Sequence, residues 1–155
     1  KPLIGAVEGA AIGGGATILL HFDAVFICPE AKIKYPFSDL GLAPEVGSSY
    51  LLFQALGYQK AAQLLFESKP IDGKTYFELG LAKYVGEDFL IKANAYAHAL
   101  KEQSLGSIME TKAILKSFTE DDLIKARSLE TQAMKRLFGS EENLKAVEKF
   151  FARKK

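Results

Sequence analysis

The chain has 155 residues, of which 48% are hydrophobic and 25% charged, which suits one soluble globular domain and argues against disorder. Its 20 basic and 19 acidic residues give a net charge of +1, so the composition predicts neither nucleic acid nor a membrane as a partner. No apolar run reaches the roughly 18 to 20 residues that cross a bilayer. The single cysteine, Cys28, is expected to be a buried inert thiol in a cytoplasmic protein.

The first part of the sequence predicts strands. Residues 3–7 and 24–28 are short, continuous apolar runs, which are typical of strands covered on both faces. A third, shorter strand is predicted at residues 33–35, where Pro36 limits it to an edge or an end. A brief strand is also predicted at residues 81–85, after which no further strand is expected.

A glycine triplet, Gly13-Gly14-Gly15, separates the first strand from an apolar segment at residues 16–22 that predicts a helix. Gly14 or Gly15 then lies in the first helical turn, where free backbone N–H groups can bind an anion or an oxyanion that forms during a reaction. The triplet matches neither the dinucleotide-binding G-x-G-x-x-G pattern nor the P-loop. On these residues alone, close packing of a helix against a strand is the better explanation of the glycines.

From residue 46 onward the apolar period becomes that of helices. Asp72 and Ser140 are predicted N-caps, and Thr119 with Asp122 resembles a capping box before a long helix whose apolar stripe includes Leu129. This helical region packs either on its own domain or on a neighbouring subunit, and both remain open. The predicted helices cover residues 51–56, 61–66, 73–79, 89–100, 123–137 and 144–151.

One carboxylate stands in the turn between the two regions. Glu45 lies in the segment APEVGSS, near the apolar side chains of Phe37, Leu40 and Leu42, which are suitable lining for a pocket. It is either a general base in that pocket or a solvent-facing glutamate placed before a helix, where the helix dipole favours it.

Residues 1–15 (KPLIGAVEGAAIGGG) resemble the K-P-x-I-A-A-V-x-G-x-A-x-G-G-G signature of the enoyl-CoA hydratase/isomerase (crotonase) superfamily. Residues 36–44 (PFSDLGLAP) and 80–82 (GLA) continue the match in order. The resemblance implies an α/β, crotonase-like (ClpP/crotonase) spiral ββα fold, truncated at the N-terminus, with a helical C-terminal region. It divides the chain into the C-terminal part of the crotonase core, residues 1–85, and a helical trimerisation region, residues 86–155.

The resemblance also implies acyl-CoA chemistry, with CoA as part of the substrate and no separate cofactor or metal. Gly14 matches the glycine whose N–H binds the thioester oxygen, and Gly13 is the adjoining substrate-binding position. In the family, the second N–H and most of the CoA surface come from a segment upstream of residue 1. Thr17 and Ser38 stand where hydratases carry two glutamates, which argues against hydration. Glu45 matches the single catalytic glutamate of the Δ3,Δ2-enoyl-CoA isomerases.

The implied function is isomerisation of 3-enoyl-CoA to 2-enoyl-CoA in fatty acid metabolism, with Glu45 and Gly14 as catalytic residues. Phe37, Leu40 and Leu42 are the further substrate-binding candidates. The implied partners are an acyl-CoA substrate and other copies of the chain, in a homotrimer or hexamer. A non-catalytic acyl-CoA-binding module and an enoyl-CoA hydratase are the alternatives.

Other polar residues give weaker signals. His21 and His98 have no partner at the spacing of a catalytic triad or a metal site, so both are predicted to be structural. The basic end, Arg153, Lys154 and Lys155, either approaches a CoA phosphate or is a solvated tail.

Overall fold

The computed structural model describes residues 1–152, in which short strands form two small sheets. The strands are β1 (Ile4–Val7), β2 (Ala10–Ile12), β3 (Ala24–Ile27), β4 (Lys32–Lys34), β5 (Ile71–Asp72) and β6 (Tyr84–Val85). The first sheet has the order β1-β3-β6 with all strands parallel. The second has the order β2-β4-β5, in which β2 and β4 are parallel and β5 is antiparallel.

Helices make up most of the remaining described chain. They are α1 (Gly14–Thr17), α2 (Ser48–Leu56), α3 (Tyr58–Glu67), α4 (Gly73–Glu78), α5 (Phe89–Lys101), α6 (Leu105–Ser117), α7 (Glu120–Leu137) and α8 (Glu141–Ala152), with 3-10 turns at Ile18–His21 and Ser38–Leu40. Helix α5 packs on β1 and β3, and α7 packs on α2. Among residues 1–152, no helix is both long and apolar enough to cross a membrane.

The core forms around the central strand β3, all of whose residues are buried, as its continuous apolar run predicts. Apolar side chains from both sheets and from α1 to α4 pack into one main cluster, which excludes their surface from water. The buried members of this cluster are Ala11, Ala16, Leu19, Val25, Ile27, Ala31, Ile33, Tyr35, Phe37, Leu52, Ala61 and Tyr76.

Two predicted helix starts are confirmed by their hydrogen bonds. Asp72 Oδ1 accepts the Thr75 N–H at 2.8 Å and begins α4. Ser140 Oγ accepts the Asn143 N–H at 3.2 Å at the start of α8. In both cases a short polar side chain satisfies a backbone N–H that has no partner within the helix.

The segment after the glycine triplet is not the two-turn α-helix expected at residues 16–22. The α-helical part ends at Thr17 and a tighter 3-10 turn follows. The Asp23 N–H donates to Leu3 O, and Asp23 Oδ2 accepts the Leu3 N–H at 2.6 Å. The chain must therefore leave the helix by Phe22 to place β3 beside β1, and a 3-10 turn covers that short distance.

Several elements differ from the sequence-based predictions. Strands β2 and β5 and helix α6 were not predicted, because the strands have only three and two residues and α6 has no buried apolar stripe. Helix α6 is held to the first sheet by an ion pair between Lys112 and Asp23, with Nζ and Oδ2 2.5 Å apart. There is no capping box at α7, since the Thr119 hydroxyl donates back to Lys116 O.

Two tyrosines in the main cluster bring hydroxyl groups into the interior. Tyr35 is 1% exposed and Tyr76 is fully buried. Neither hydroxyl has a hydrogen-bond partner of acceptable geometry in the described chain. Burial raises the pKa of Tyr76 to about 12 and raises the pKa of Tyr35 even further above its usual value. Burial therefore keeps both side chains protonated well into the alkaline range.

This burial predicts an alkaline loss of stability. Unfolded tyrosine ionises near pH 10, whereas folded Tyr76 keeps its proton to about pH 12. The stability linked to Tyr76 is full below about pH 10 and is lost as the pH rises to about 12, by roughly 2 to 3 kcal/mol. We expect Tyr76→Phe to weaken this loss in urea unfolding followed by circular dichroism, whereas the exposed control Tyr58→Phe leaves it unchanged. An equal loss in Tyr76→Phe and the parent would contradict the assignment.

Candidate active site

The glycine triplet forms a tight corner between β2 and α1. Gly13 has φ of 58° and ψ of −121°, a conformation that only glycine adopts readily. Its N–H donates to Lys34 O at 3.0 Å, and its carbonyl accepts the N–H groups of Ala16 and Thr17 at 2.9 Å. Gly14 begins α1, as predicted, and no acceptor in the described chain takes its N–H. The corner therefore offers a free amide to a ligand.

The turn before α2 brings Glu45 to this corner. Its main chain is fixed by a hydrogen bond from the Ser48 N–H to Glu45 O at 3.0 Å, and its side chain is half-buried. A Cβ atom placed on Gly14 would lie 3.5 Å from Glu45 Oε1. The structure thus brings a carboxylate and an unpaired backbone N–H, the two groups singled out in the sequence, to the same place.

A cleft of about 490 Å³ lies beside Glu45, between its turn and helix α7. This volume falls within the range of about 300 to 1,000 Å³ that is usual for small-molecule sites. The wall formed by α7 carries two cations, Arg127 and Lys135, next to an apolar side chain, Met134. The lining residues are Pro44, Glu45, Val46, Arg127, Glu130, Thr131, Met134 and Lys135.

Glu45 is the one predicted site residue that lines this cleft, and the cleft does not include Gly13, Gly14, Phe37, Leu40 or Leu42. Phe37 is 4% exposed and packs in the main core, and its carbonyl accepts the Leu42 N–H at 2.8 Å. Leu40 and Leu42 are half-buried, and Leu40 O accepts from Asn143 on α8 at 2.6 Å. Their contact with a substrate stays a prediction. The basic end, residues 153–155, lies outside the described residues.

Val46, directly after Glu45, has a strained backbone. Its φ of 58° lies in the left-handed region, which a β-branched residue rarely adopts, at a cost of about 1 to 3 kcal/mol. The neighbouring His21 Nε2 lies 2.8 Å from Val46 O. Because a carbonyl oxygen only accepts hydrogen bonds, Nε2 carries the proton and donates it. The prediction of a structural role for His21 did not foresee this contact with the turn.

Glu130 on α7 binds the same turn from the other side. Its carboxylate is buried, with the residue 7% exposed. Oε2 accepts the Gly47 N–H at 2.7 Å, and Oε1 accepts the N–H of Ser49 at 3.0 Å and its hydroxyl at 2.6 Å. The carboxylate therefore satisfies free N–H groups at the start of α2. Sequence reasoning missed Glu130 because it placed Leu129, which is 56% exposed, on the buried stripe.

Thr17 and Ser38 have partners of their own. Thr17 is fully buried and its hydroxyl donates to Gly14 O at 3.1 Å. The Ser38 hydroxyl donates to Phe66 O at 2.7 Å and lies 2.7 Å from the hydroxyl of Ser68. Neither residue is a carboxylate. Of the three positions that the sequence motifs single out for a catalytic acid, 17, 38 and 45, only position 45 carries one.

One set of possible metal ligands occurs in the described chain, and it lies outside this cleft. The ligand atoms of Cys28, Glu30 and Glu87 lie within 4.8 Å of one another, and both carboxylates are exposed. Cys28 is half-buried and packs against the main cluster, and its thiol donates to Glu30 Oε2 at 3.3 Å, so the expectation of a buried thiol is met only in part. These contacts give the cluster no part in the chemistry at Glu45.

The family model described as "Enoyl-CoA hydratase/isomerase" matches residues 1–155. The chain belongs to this family. Its members are enzymes of the crotonase superfamily, and the resemblance seen in the glycine triplet and the following segments is thereby confirmed.

Relatives and solved structures agree with this assignment. The chain is 29% identical to enoyl-CoA delta isomerase 2 of Rattus norvegicus over 99% of its own length and 40% of the relative. It is 27% identical to a crotonyl-CoA hydratase of Syntrophomonas wolfei, covering 100% of this chain and 60% of the relative. An enoyl-CoA hydratase/isomerase structure from Pseudoalteromonas atlantica matches with a TM-score of 0.93 and 28% identity, over 99% of this chain and 62% of that one.

These matches establish the crotonase fold with a helical C-terminal region. They also include both isomerases and hydratases, so membership of the family leaves the reaction open. The chain spans about 40 to 60% of the length of the curated relatives named here.

The contact of α7 with the turn predicts the effect of a small substitution at Gly47. Gly47 has φ of 77°, and a Cβ there would overlap Leu123 Cδ1. Gly80 has φ of 78° but no atom within 4 Å of such a Cβ, so Gly80→Ala measures the backbone cost alone. We expect Gly47→Ala to lower the free energy of unfolding by about 0.5 to 1.5 kcal/mol more than Gly80→Ala, because the end of the Leu123 side chain must turn away from its position. Equal losses in urea unfolding would show that this approach is not tight.

Proposed function

We propose that the protein is an enoyl-CoA isomerase that converts 3-enoyl-CoA to 2-enoyl-CoA, with Glu45 as its only base and acid. The proposal rests on one observation, the approach of Glu45 Oε1 to Gly14, whose amide has no partner in the described chain. A proton shift beside a thioester requires a carboxylate close to an oxyanion donor, and this approach supplies such a pair.

The proposed reaction moves one proton within the substrate. Glu45 removes a proton from C2, and the electron pair moves into the thioester to give a dienolate whose oxygen accepts the Gly14 N–H. The Glu45 carboxylic acid then returns the proton to C4, which leaves the double bond between C2 and C3 and regenerates the carboxylate. The shift needs no cofactor apart from the CoA that the substrate carries.

Two features favour this reaction over hydration. Addition of water in this family uses two carboxylates, and the corresponding positions are occupied by Thr17 and Ser38, whose hydroxyls bond to backbone carbonyls. A proton shift needs only one carboxylate, and Glu45 is available. Hydration remains the second candidate because relatives of this chain include a crotonyl-CoA hydratase. A module that binds acyl-CoA without catalysis is the third.

The substrate class and the location belong to the same proposal. Acyl-CoA carries several phosphate charges, and Arg127 and Lys135 on the α7 wall of the cleft are the two cations of its lining that would bind them. A cytoplasmic role in fatty acid metabolism is in keeping with Cys28, which is a free thiol.

The decisive experiment is a spectrophotometric assay with 3-enoyl-CoA, which gains conjugated absorbance when it becomes 2-enoyl-CoA. We expect the parent protein to turn over and Glu45→Gln to lose about 10²- to 10⁴-fold in kcat, because general acid and base catalysis contributes that much. The matched control Glu110→Gln, an exposed glutamate on α6, should keep the parent rate.

Each other outcome points to a different conclusion. Equal rates for the parent and Glu45→Gln would remove Glu45 from the mechanism. Hydration of crotonyl-CoA that depends on Glu45 and is faster than isomerisation would favour the hydratase. Binding of acyl-CoA in calorimetry without either reaction would favour the non-catalytic module.

The assembly of the protein is a further part of the proposal. Large apolar side chains are exposed on the C-terminal helices, among them Ile91 at 70%, Phe118 at 77% and Phe138 at 74%. Such surfaces typically pack against other subunits, and we expect a homotrimer or hexamer. Light scattering during size exclusion should give three or six times the mass of one chain. Phe118→Glu should reduce that mass while Phe118→Leu keeps it, and a monomeric parent would contradict the proposal.

A further inference from the structure

We propose that His21 and Glu130 form a clamp on the turn that carries Glu45, holding Val46 in its strained conformation and thereby aiming the Glu45 carboxylate at Gly14. The two residues are positioning residues, since they act through Glu45. The inference rests on the proposed isomerase function and adds to it the part of the chain that sets the geometry of the base.

The first step concerns the backbone of Val46. A valine with φ of 58° leaves this region unless its surroundings hold it there, because its branched side chain crowds the backbone. Rotation about φ of Val46 changes the direction of the peptide that joins it to Glu45. The orientation of Glu45 therefore depends on whatever restrains Val46.

His21 provides the restraint on one side. Its Nε2–H donates to Val46 O at 2.8 Å, and the residue belongs to the 3-10 turn that continues directly from α1. Since α1 begins with Gly14, this hydrogen bond joins the turn to the segment that supplies the oxyanion donor. It therefore links the position of Glu45 to that of Gly14.

Glu130 provides the restraint on the other side. Both of its carboxylate oxygens are engaged, one by the Gly47 N–H and the other by the N–H and hydroxyl of Ser49. All three groups donate, so both side-chain oxygens act as acceptors, which a carboxylate supplies and an amide does not. A glutamine at this position would turn an NH₂ group towards one of the donors and lose that bond.

The clamp predicts a loss of kcat without a matching change in KM. We expect Glu130→Gln and His21→Ala each to lower kcat by about 10- to 100-fold, because a small misplacement of a catalytic group has effects of that size. KM should stay within about twofold, since neither variant removes the Gly14 amide that receives the substrate oxygen. The matched controls are Glu110→Gln and His98→Ala, both exposed and outside the clamp, and they should keep the parent kcat.

A double variant separates positioning from general destabilisation. Glycine adopts a positive φ without strain, so Val46→Gly allows the turn to keep its conformation without the clamp. We expect Val46→Gly added to Glu130→Gln to recover part of the lost kcat. Because Val46→Gly also relieves strain, kcat is compared per folded molecule, at temperatures well below the onset of unfolding. If Glu130 only stabilised the fold, Glu130→Gln would keep the parent kcat under these conditions, and either this result or the absence of recovery in the double variant would count against the clamp.

Amide hydrogen exchange of residues 45–49 gives a readout that is independent of activity. We expect faster exchange at Gly47 and Ser49 in Glu130→Gln and not in Glu110→Gln. Unchanged kcat in both clamp variants, alongside a Glu45→Gln variant that has lost its activity, would overturn the clamp and leave the proposed isomerase intact. If the parent shows no turnover that depends on Glu45, the isomerase fails, and hydrogen exchange alone then decides whether the clamp holds the turn.

Discussion

The buried carboxylate of Glu130 is the contact through which the C-terminal helices shape the candidate active site. It receives two backbone N–H groups and a hydroxyl from the turn before α2. Removing a carboxylate from water is unfavourable unless strong donors replace the lost hydration, and here every donor comes from one short segment. Helix α7 and the turn therefore stabilise each other, although most residues of α7 are exposed.

This arrangement explains why the site combines strain with order. Val46 occupies a conformation that costs free energy, and the compensating hydrogen bonds come from elements far away in sequence, the 3-10 turn and α7. Strained backbone next to a reacting group is a recurring property of functional sites, because the surrounding structure can then fix a side chain in one direction. The corner at Gly13 also has an unusual backbone conformation, but a glycine adopts it with little strain.

The sequence revealed the parts of the site that depend on local chemistry. The glycine triplet predicted the corner, and the motif around Glu45 predicted the carboxylate beside it, which the structure places next to Gly14. The N-caps at Asp72 and Ser140 were equally readable, because a cap is made by a side chain and its own neighbours. Likewise, the continuous apolar run of β3 predicted a strand buried on both faces.

The remaining features depend on contacts between distant segments, which a single sequence does not show. The apolar stripe of α7 predicted that Leu129 is buried, but the buried residue is its neighbour Glu130. A carboxylate is stable there because the turn before α2 supplies hydrogen-bond donors. Helix α6 has no buried stripe at all. Phe37 was expected near the substrate because of its closeness in sequence to Glu45; its ring packs in the core, and its contact with a substrate stays a prediction.

The order of the strands has a consequence for how the polypeptide behaves in solution. Strands β1 and β2 are each outermost in their sheets, so one side of each pairs with no strand of the described chain. Backbone groups on such a side readily accept an additional strand, and the half-exposed Leu3 and Ile12 add apolar surface next to them, at 49% and 52% exposure. A further strand, from another segment of the protein or from another copy, could pair with either of these sides.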